Sequence, residues 1–193
     1  SADGLTEESH HRKENLLVLS STYSGGMDYG NVQKSVFDAG EGWMGAQILQ
    51  GQDATYTLEG ITETAIASGK PMLEVLLTGR GAMSHEVELY AGTRILSTVS
   101  FSGFESHKYT QQIEWSDIDA TGKLAVRVWV TGAGGADRVS VGYVRLVFPQ
   151  QVAMGDMAER MFSLNPNASD VALLKIQNPP AGLRLFDVTD PST

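Results

Sequence analysis

The 193-residue chain contains no cysteine. Disulfide bridges, zinc–thiolate sites and a cysteine nucleophile are therefore excluded within this segment. No apolar run reaches the 18 residues expected of a membrane-spanning helix. Basic residues are few: 14 Lys and Arg stand against 23 Asp and Glu, for a net charge of −9. That balance argues against nucleic acid or an anionic membrane as a partner, because both are bound through clusters of basic side chains.

What the chain has in quantity is glycine, with 21 residues, and the β-branched side chains of Val, Thr and Ile. Such side chains pack well on a pleated sheet, and glycine supplies turn conformations, so the composition favours an all-β fold. The length corresponds to about one domain. We expect residues 1–14 to be a flexible polar tail rather than a signal peptide, and residues 15–193 to form a single β-sandwich domain.

Alternation of apolar and polar residues predicts about nine short strands separated by turns. Segments 84–90 and 94–101 are predicted to pair as one hairpin, with Gly92 in the turn. Segments 123–131 and 138–148 are predicted to pair as a second hairpin. Two antiparallel sheets packed as a jelly-roll-like sandwich fit this pattern best, and a closed barrel is the alternative.

The same pattern predicts the interior of the sandwich. Six residues on the apolar faces of these strands are expected to share one core between the sheets: Leu89, Leu124, Val126, Val128, Val139 and Val141. Gly142 within its strand predicts a bulge or a close backbone approach.

The C-terminal region gives a less uniform pattern. Residues 151–162 fit either a helix or an extended crossing, since a helical stripe of methionines is interrupted by Gly155. Strands are predicted at 169–176 and 183–188, separated by a Pro- and Gly-rich turn.

Trp43 is flanked by glycines in the sequence GEGWMG. Such a tryptophan is either an anchor folded onto the core or an exposed platform on which a sugar stacks, and the anchor is the favoured interpretation. If it is a platform, Tyr23 and Tyr29 are the candidates to complete a stacking patch with it.

Asp117 and Asp119 are the weak candidates for calcium, the one cofactor that the sequence suggests. They lack the oxygen spacing and the closing Glu of an EF-hand, so a turn in which Asp side chains accept backbone N–H groups is the favoured interpretation. Metal ligation by the adjacent pair His10 and His11 is disfavoured because the pair lies in the polar segment.

The remaining histidines show no catalytic pattern. His85 alternates with apolar residues and is expected at a strand rim, and His107 opens a strand after a Gly- and Ser-containing loop. No nucleophile–base spacing and no G-x-S-x-G motif is present, so no catalytic residue is predicted and this segment is not expected to be an enzyme.

Three segments in order resemble one protein family. Residues 38–45 (DAGEGWMG) resemble a G-E-x-W-x-G motif, residues 141–146 (VGYVRL) and 161–163 (MFS) resemble a later strand and the segment after it, and residues 185–191 (LFDVTDP) are similar to V-W-D-V-T-D-P. The family is that of the PorU-type signal peptidases of the type IX secretion system, relatives of the gingipain cysteine peptidases. Gly142 and Phe186 depart from the family pattern, which has an acidic residue and Trp there.

The resemblance implies a non-catalytic β-sandwich that precedes a Cys/His catalytic domain in a bacterial cell-surface peptidase of Bacteroidetes. The implied partners are that downstream domain of the same chain and other surface secretion components. Within this picture Asp187, Thr189, Asp190 and Pro191 form an interdomain turn, in which Pro191 restricts the residue before it and the polar side chains accept local N–H groups. The chain ends at this turn, which is expected of a segment of a longer protein.

Two other functions stay open from the residues alone. The alternative is a stand-alone carbohydrate- or surface-binding module with Trp43, Tyr23 and Tyr29 as its stacking patch. A hydrolase in its own right is the third, and it would need a convergent acid–base pocket.

Overall fold

The computed structural model of the chain describes residues 4–23, 27–28, 31–32, 42–132, 136–166 and 171–189. Within these ranges the strands are β1 (His11–Val18), β2 (Thr22–Tyr23), β3 (Met27–Asp28), β4 (Asn31–Val32), β5 (Trp43–Met44), β6 (Ile48–Leu49), β7 (Asp53–Leu58), β8 (Met72–Gly79), β9 (Ser84–Ala91), β10 (Arg94–Ser102), β11 (Ser106–Gln112), β12 (Leu124–Val130) and β13 (Arg138–Gln150). Two short 3₁₀ helices span Ile66–Ser68 and Trp115–Asp117.

The strands form two antiparallel sheets that pack as a jelly-roll-like β-sandwich, as predicted. The first sheet has the order β1–β13–β8–β11, with β6 also paired to β13, and the second has the order β10–β9–β12–β7. Two small ribbons, β2–β5 and β3–β4, stand outside these sheets. A closed barrel is excluded because the two sheets are separate ladders.

The predicted core is confirmed. All six residues named from the alternation are buried and belong to one cluster that both sheets line. The cluster is made of aliphatic and aromatic side chains, so its burial is a main source of the favourable free energy of folding.

Gly142 lies at an irregularity of β13, as predicted. The pairing of β13 with β8 shifts register between Val141 and Tyr143. A Cβ atom on Gly142 would lie 2.9 Å from Leu76 Cδ2, so a larger residue would displace that side chain.

One predicted hairpin is confirmed and the other is wrong. β9 and β10 pair through a turn in which Gly92 has a positive φ of 58°. β12 pairs instead with β7 and β9, while β13 pairs with β1, β6 and β8 in the other sheet. Alternation shows that a strand has one buried face, but it does not show which strand is its hydrogen-bonded partner. Two strands that face each other across the core have the same alternation as two strands paired in one sheet.

The N-terminal boundary also differs from the prediction. β1 begins at His11, so residues 11–14 are part of the first sheet rather than of a polar tail. β1 is an edge strand and its residues 12–14 are exposed, which is why no apolar periodicity marks it in the sequence.

Strands were predicted at 169–176 and 183–188. The structure does not describe residues 167–170, and it contains no strand in 171–176 or 183–188. Single bridges join Leu173 to Glu7 and Gln177 to Ala153. Phe186 is 79% exposed and its apolar neighbours are exposed too, so this region lacks the buried face that would stabilise a strand. Residues 151–162, for which a helix or an extended crossing was predicted, form turns and bends.

The first prediction concerns the core. Val128 is fully buried in β12 between Ala54 and Leu89, so Val128→Ala removes buried methyl groups and leaves a cavity. We expect the free energy of unfolding to fall by about 1–3 kcal/mol. The same change at Val188, which is 60% exposed, is the matched control and should have almost no effect. Equal unfolding midpoints of the two variants in urea would contradict the placement of Val128.

Candidate functional site

Two of the three aromatic residues predicted as a stacking patch lie together on the surface. Tyr23 and Trp43 are directly opposite each other in the β2–β5 ribbon, with ring centroids 5.4 Å apart and planes inclined by 59°. Tyr23 is 55% exposed and Trp43 is 46% exposed. Tyr29, the third candidate, lies outside the described residues.

The exposed position of Trp43 corrects the favoured anchor interpretation. Successive residues of a strand point to opposite sides, so the burial of Met44 leaves Trp43 facing solvent. Met44 is the true anchor: its Sδ accepts a hydrogen bond from Arg80 Nη1 at 3.0 Å, and Arg80 also donates to Ser140 Oγ.

Backbone hydrogen bonds hold the ribbon against the first sheet. Gly45 N donates to Val141 O at 2.7 Å, and Leu19 N donates to Gly142 O at 2.9 Å. Both acceptors belong to the irregular part of β13, where the bulge leaves carbonyl groups for partners outside the regular ladder. The aromatic pair is therefore presented on a fixed support.

Asp117 is committed to an ion pair. Arg94 Nε donates to Asp117 Oδ1 at 2.9 Å, and Glu114 N donates to the other carboxylate oxygen at 2.8 Å. Burial acts to raise the pKa of Asp117, but the Arg94 guanidinium and the Glu114 N–H together hold it below its usual value.

Asp119 closes the turn that follows. Its Oδ1 accepts from Thr121 N at 2.7 Å, Thr121 Oγ1 at 2.7 Å and Lys123 N at 3.1 Å, and the Thr121 hydroxyl lowers its pKa most. In the part of the chain that the structure describes, no three His, Asp or Glu side chains converge on a point where a metal ion could bind. Asp117 and Asp119 are thus turn-forming residues here.

His85 is fully buried, which corrects the prediction of a strand rim. Its Nδ1 lies 2.5 Å from Asp137 Oδ1 and its Nε2 lies 2.8 Å from Gly103 O. A carbonyl oxygen only accepts, so the His85 Nε2–H donates to Gly103 O. The second oxygen of Asp137 accepts from Glu86 N at 3.1 Å.

The His85–Asp137 pair joins the two sheets and was missed from the sequence, because 52 residues separate its members. No atom of it reaches solvent, so it is a structural tie rather than an acid–base site. The histidines His107 and His10 also form no catalytic arrangement among the described residues. His107 stacks on Phe101. His10 Nδ1 lies 2.9 Å from Ser9 Oγ at the surface, and no described carboxylate binds its ring.

His11 is buried, and its ring nitrogens have no hydrogen-bond partners. Burial and, next, the nearby Arg160 guanidinium lower its pKa from the ordinary value of 6.5. Phe162 packs edge-on against the imidazole at 5.0 Å. Gln150 acts in the opposite direction to Arg160, although it does not reach hydrogen-bonding geometry with a ring nitrogen.

The exit turn is partly described. Asp187 Oδ1 accepts from Thr189 N at 3.0 Å, and this contact with Thr189 lowers the pKa of the Asp187 carboxyl. Asp190 and Pro191 lie outside the described residues. The predicted interdomain role of these four residues stays a prediction.

A cleft of about 350 Å³ lies beside the second 3₁₀ helix. It is lined by Ile61, Thr62, Thr64, Ile66, Trp115, Ile118, Asp119, Ala120, Thr121 and Gly122. Its one carboxylate, that of Asp119, is occupied by the turn, and no histidine faces it, so the cleft holds no acid–base pair.

Comparison with known proteins supports the fold. No protein-family model and no curated protein matches the chain. Latent dimeric PorU from Porphyromonas gingivalis is similar in structure, with a TM-score of 0.50 and 12% identity over 93% of this chain and 16% of the PorU chain.

Carbohydrate-binding modules are similar over a smaller part. The CBM36-1 domain of a multidomain xylanase from the hindgut metagenome of Trinervitermes trinervoides gives a TM-score of 0.44 and 17% identity over 69% of this chain and 96% of the module. A CBM36 module solved with calcium and xylotriose gives 0.40 and 15% over 70% of this chain and 98% of the module. At such identities these likenesses concern the β-sandwich fold and not the function.

The second prediction concerns pH. Because the pKa of His11 is lowered in the folded chain, the unfolded chain binds the proton more readily. The contribution of neutral His11 to the unfolding free energy is therefore fully present above pH 6.5, and it is lost as the pH falls below that value. His11→Phe should flatten the pH dependence of the unfolding free energy between pH 7.5 and 5, whereas His10→Gln, a change at the neighbouring accessible histidine, should not. The same slope in His11→Phe and in the unchanged chain would contradict the assignment.

Proposed function

We propose that this chain is a non-catalytic β-sandwich module of a gingipain-related cell-surface cysteine peptidase, in which it supports or orients a catalytic domain. The observation that carries the proposal is the extent of the likeness to PorU, which includes 93% of this chain and 16% of the larger protein. The proposal also agrees with the ordered sequence motifs that resemble PorU-type peptidases.

Two of the three segments that carry the resemblance lie on neighbouring parts of the first sheet. Gly45, which ends the GEGWMG motif, donates its N–H to Val141, which begins the VGYVRL segment. Ser163, at the end of the later MFS segment, accepts from Arg12 N at 2.7 Å in β1. These two segments, which are far apart in the chain, thus belong to one structural unit of β13 and its neighbour β1, which favours a shared architecture over unrelated matches.

A supporting role fits the chemistry of the described residues. The nitrogens of His85 are occupied by Asp137 and Gly103, and those of His11 are buried away from solvent. In the intact protein the Cys/His pair would be supplied by a separate peptidase domain, and the proposed location is the bacterial outer-membrane surface, with secretion components as further partners. Across the described ranges, no helix is long and apolar enough to cross a membrane.

The third prediction tests this role in the intact protein. The reading frame should encode a Cys/His peptidase domain after this module, and the isolated module should not cleave fluorogenic peptides. Asp187→Ala/Asp190→Ala in the intact protein should raise the rate of limited proteolysis just after Val188 and lower signal-peptide processing, because the Asp187–Thr189 contact is removed.

Asp156→Ala is the matched control, since Asp156 is an exposed acidic residue elsewhere in the C-terminal region. The thermal unfolding midpoint of the module should be unchanged in both variants. Absence of a peptidase domain from the reading frame, or equal proteolysis and processing in all three proteins, would refute the orienting role.

A second function, binding of carbohydrate or another surface, is favoured by the Tyr23–Trp43 pair. Two exposed rings 5.4 Å apart on a fixed ribbon form an apolar platform, and Tyr and Trp are enriched at binding interfaces because each joins an apolar ring to a polar group. The platform is compatible with the first function, since a peptidase module at a cell surface can also contact glycans.

The fourth prediction tests that platform. Tyr23→Ala/Trp43→Ala should reduce retention of the module on insoluble polysaccharides by tenfold or more, which corresponds to about 1.4 kcal/mol. Phe186→Ala, which removes an aromatic ring that is 79% exposed in another region, should leave retention unchanged. Failure of the unaltered module to bind, or equal loss in both variants, would remove this function without affecting the first.

A further inference from the structure

The outer face of the second sheet carries two adjacent rows of side chains that cross the strands. In the first row, Trp129 of β12 lies between Glu88 of β9 and Asp53 of β7. In the second row, Arg127 of β12 lies between Tyr90 and Thr55. These residues alternate with the buried core residues Val126, Val128 and Val130, so they point away from the core. We call these two rows the outer-face rows.

Contacts within the outer-face rows fix the shape of the surface. The Arg127 guanidinium lies over the Tyr90 ring, with Cζ 3.8 Å from the ring centroid, and 5.9 Å from the centroid of Trp129. The Tyr90 hydroxyl donates to Glu88 Oε2, and this contact is the main reason that the pKa of Tyr90 is raised. A planar cation stacked on a planar ring is an ordered arrangement on an accessible surface.

The charged groups of the outer-face rows lack partners of opposite charge. Arg94, Arg145 and Arg160 each form an ion pair with an acidic side chain. Within the described ranges Arg127 forms none, and the exposed carboxylate of Asp53 forms none either. Donors and acceptors are therefore available beside an aromatic side chain, which is the composition of a site that orients a small polar ligand.

We propose that the outer-face rows bind a neutral oligosaccharide that lies across β12. The aromatic side chain of Trp129 would stack on the C–H face of a sugar ring, Asp53 and Glu88 would accept hydrogen bonds from its hydroxyls, and Arg127 would donate to them.

Charge selects the neutral class of saccharide. Asp53, Glu86 and Glu88 outnumber Arg127 on this face and repel an anionic saccharide. A cationic chain would be attracted by these carboxylates but would leave the Arg127 guanidinium without an acceptor. The hydroxyl groups of a neutral saccharide can donate to the carboxylates and accept from Arg127 at the same time.

This site is distinct from the Tyr23–Trp43 platform, because the outer-face rows belong to the second sheet and the ribbon is bonded to the first. It depends neither on a peptidase role nor on the likeness to carbohydrate-binding modules. The two surfaces can therefore be tested separately with single variants.

The fifth prediction uses affinity electrophoresis of the intact module in gels that contain one soluble polysaccharide each: xylan, mixed-linkage β-glucan, galactomannan, anionic polygalacturonate or cationic chitosan. At least one neutral polysaccharide should retard the module. Trp129→Ala should weaken that binding tenfold or more, and Asp53→Asn and Arg127→Gln should each weaken it severalfold. Phe186→Ala, which removes an exposed ring outside both surfaces, is the matched control and should leave it unchanged.

Asp53 is exposed and Arg127 forms no ion pair within the described ranges, so their conservative variants test the site even if Trp129→Ala unfolds. Circular dichroism melting curves identify any variant that fails to fold. The proposal is overturned if no neutral polysaccharide retards the module, if only polygalacturonate or chitosan does, if Asp53→Asn and Arg127→Gln bind as the unaltered module does, or if Phe186→Ala weakens binding as much as Trp129→Ala does.

Discussion

One fully buried hydrogen-bonded pair joins the two sheets of this sandwich. His85 belongs to the second sheet and Asp137 directly precedes β13 of the first, and their side chains meet where no water reaches. The arrangement requires Gly79, because a Cβ atom there would lie 2.1 Å from Gly103 O and 2.4 Å from His85 Nε2. Removing one member leaves the other buried without its hydrogen-bond partner, which costs about 1–3 kcal/mol.

β13 is the strand on which the remaining elements converge. It pairs with β1, β6 and β8 and is buried along nearly its whole length, so it is the centre of the first sheet. Tyr143, fully buried within it, donates to Glu74 Oε1 at 2.6 Å, which in turn accepts from Arg145 at 3.2 Å. The bulge at Gly142 interrupts this regularity and provides the carbonyl to which the chain leading into the aromatic ribbon is bonded.

The features with functional potential lie on surfaces and not in an enclosed pocket. Tyr23 and Trp43 are exposed on the ribbon, and Trp129 and Arg127 are presented by the outer face of the second sheet. Both surfaces are built on strands whose opposite faces or neighbours are buried, so their geometry is set by the core. Both proposed binding surfaces therefore rest on this division between a closed interior and ordered exposed faces.

The sequence by itself determined the fold class, the core residues and the β9–β10 hairpin, because burial of one face of a strand imposes a period of two and a short turn brings neighbouring strands together. It also indicated Trp43 and Tyr23 as candidate members of a stacking patch, because of their residue types. Only the tertiary structure decided that β12 and β13 lie in different sheets, that Met44 rather than Trp43 is the anchor, and that His85 meets Asp137. The physical reason is that local alternation records whether a residue is buried, whereas partners distant in sequence are selected by packing across the core, which no local pattern encodes.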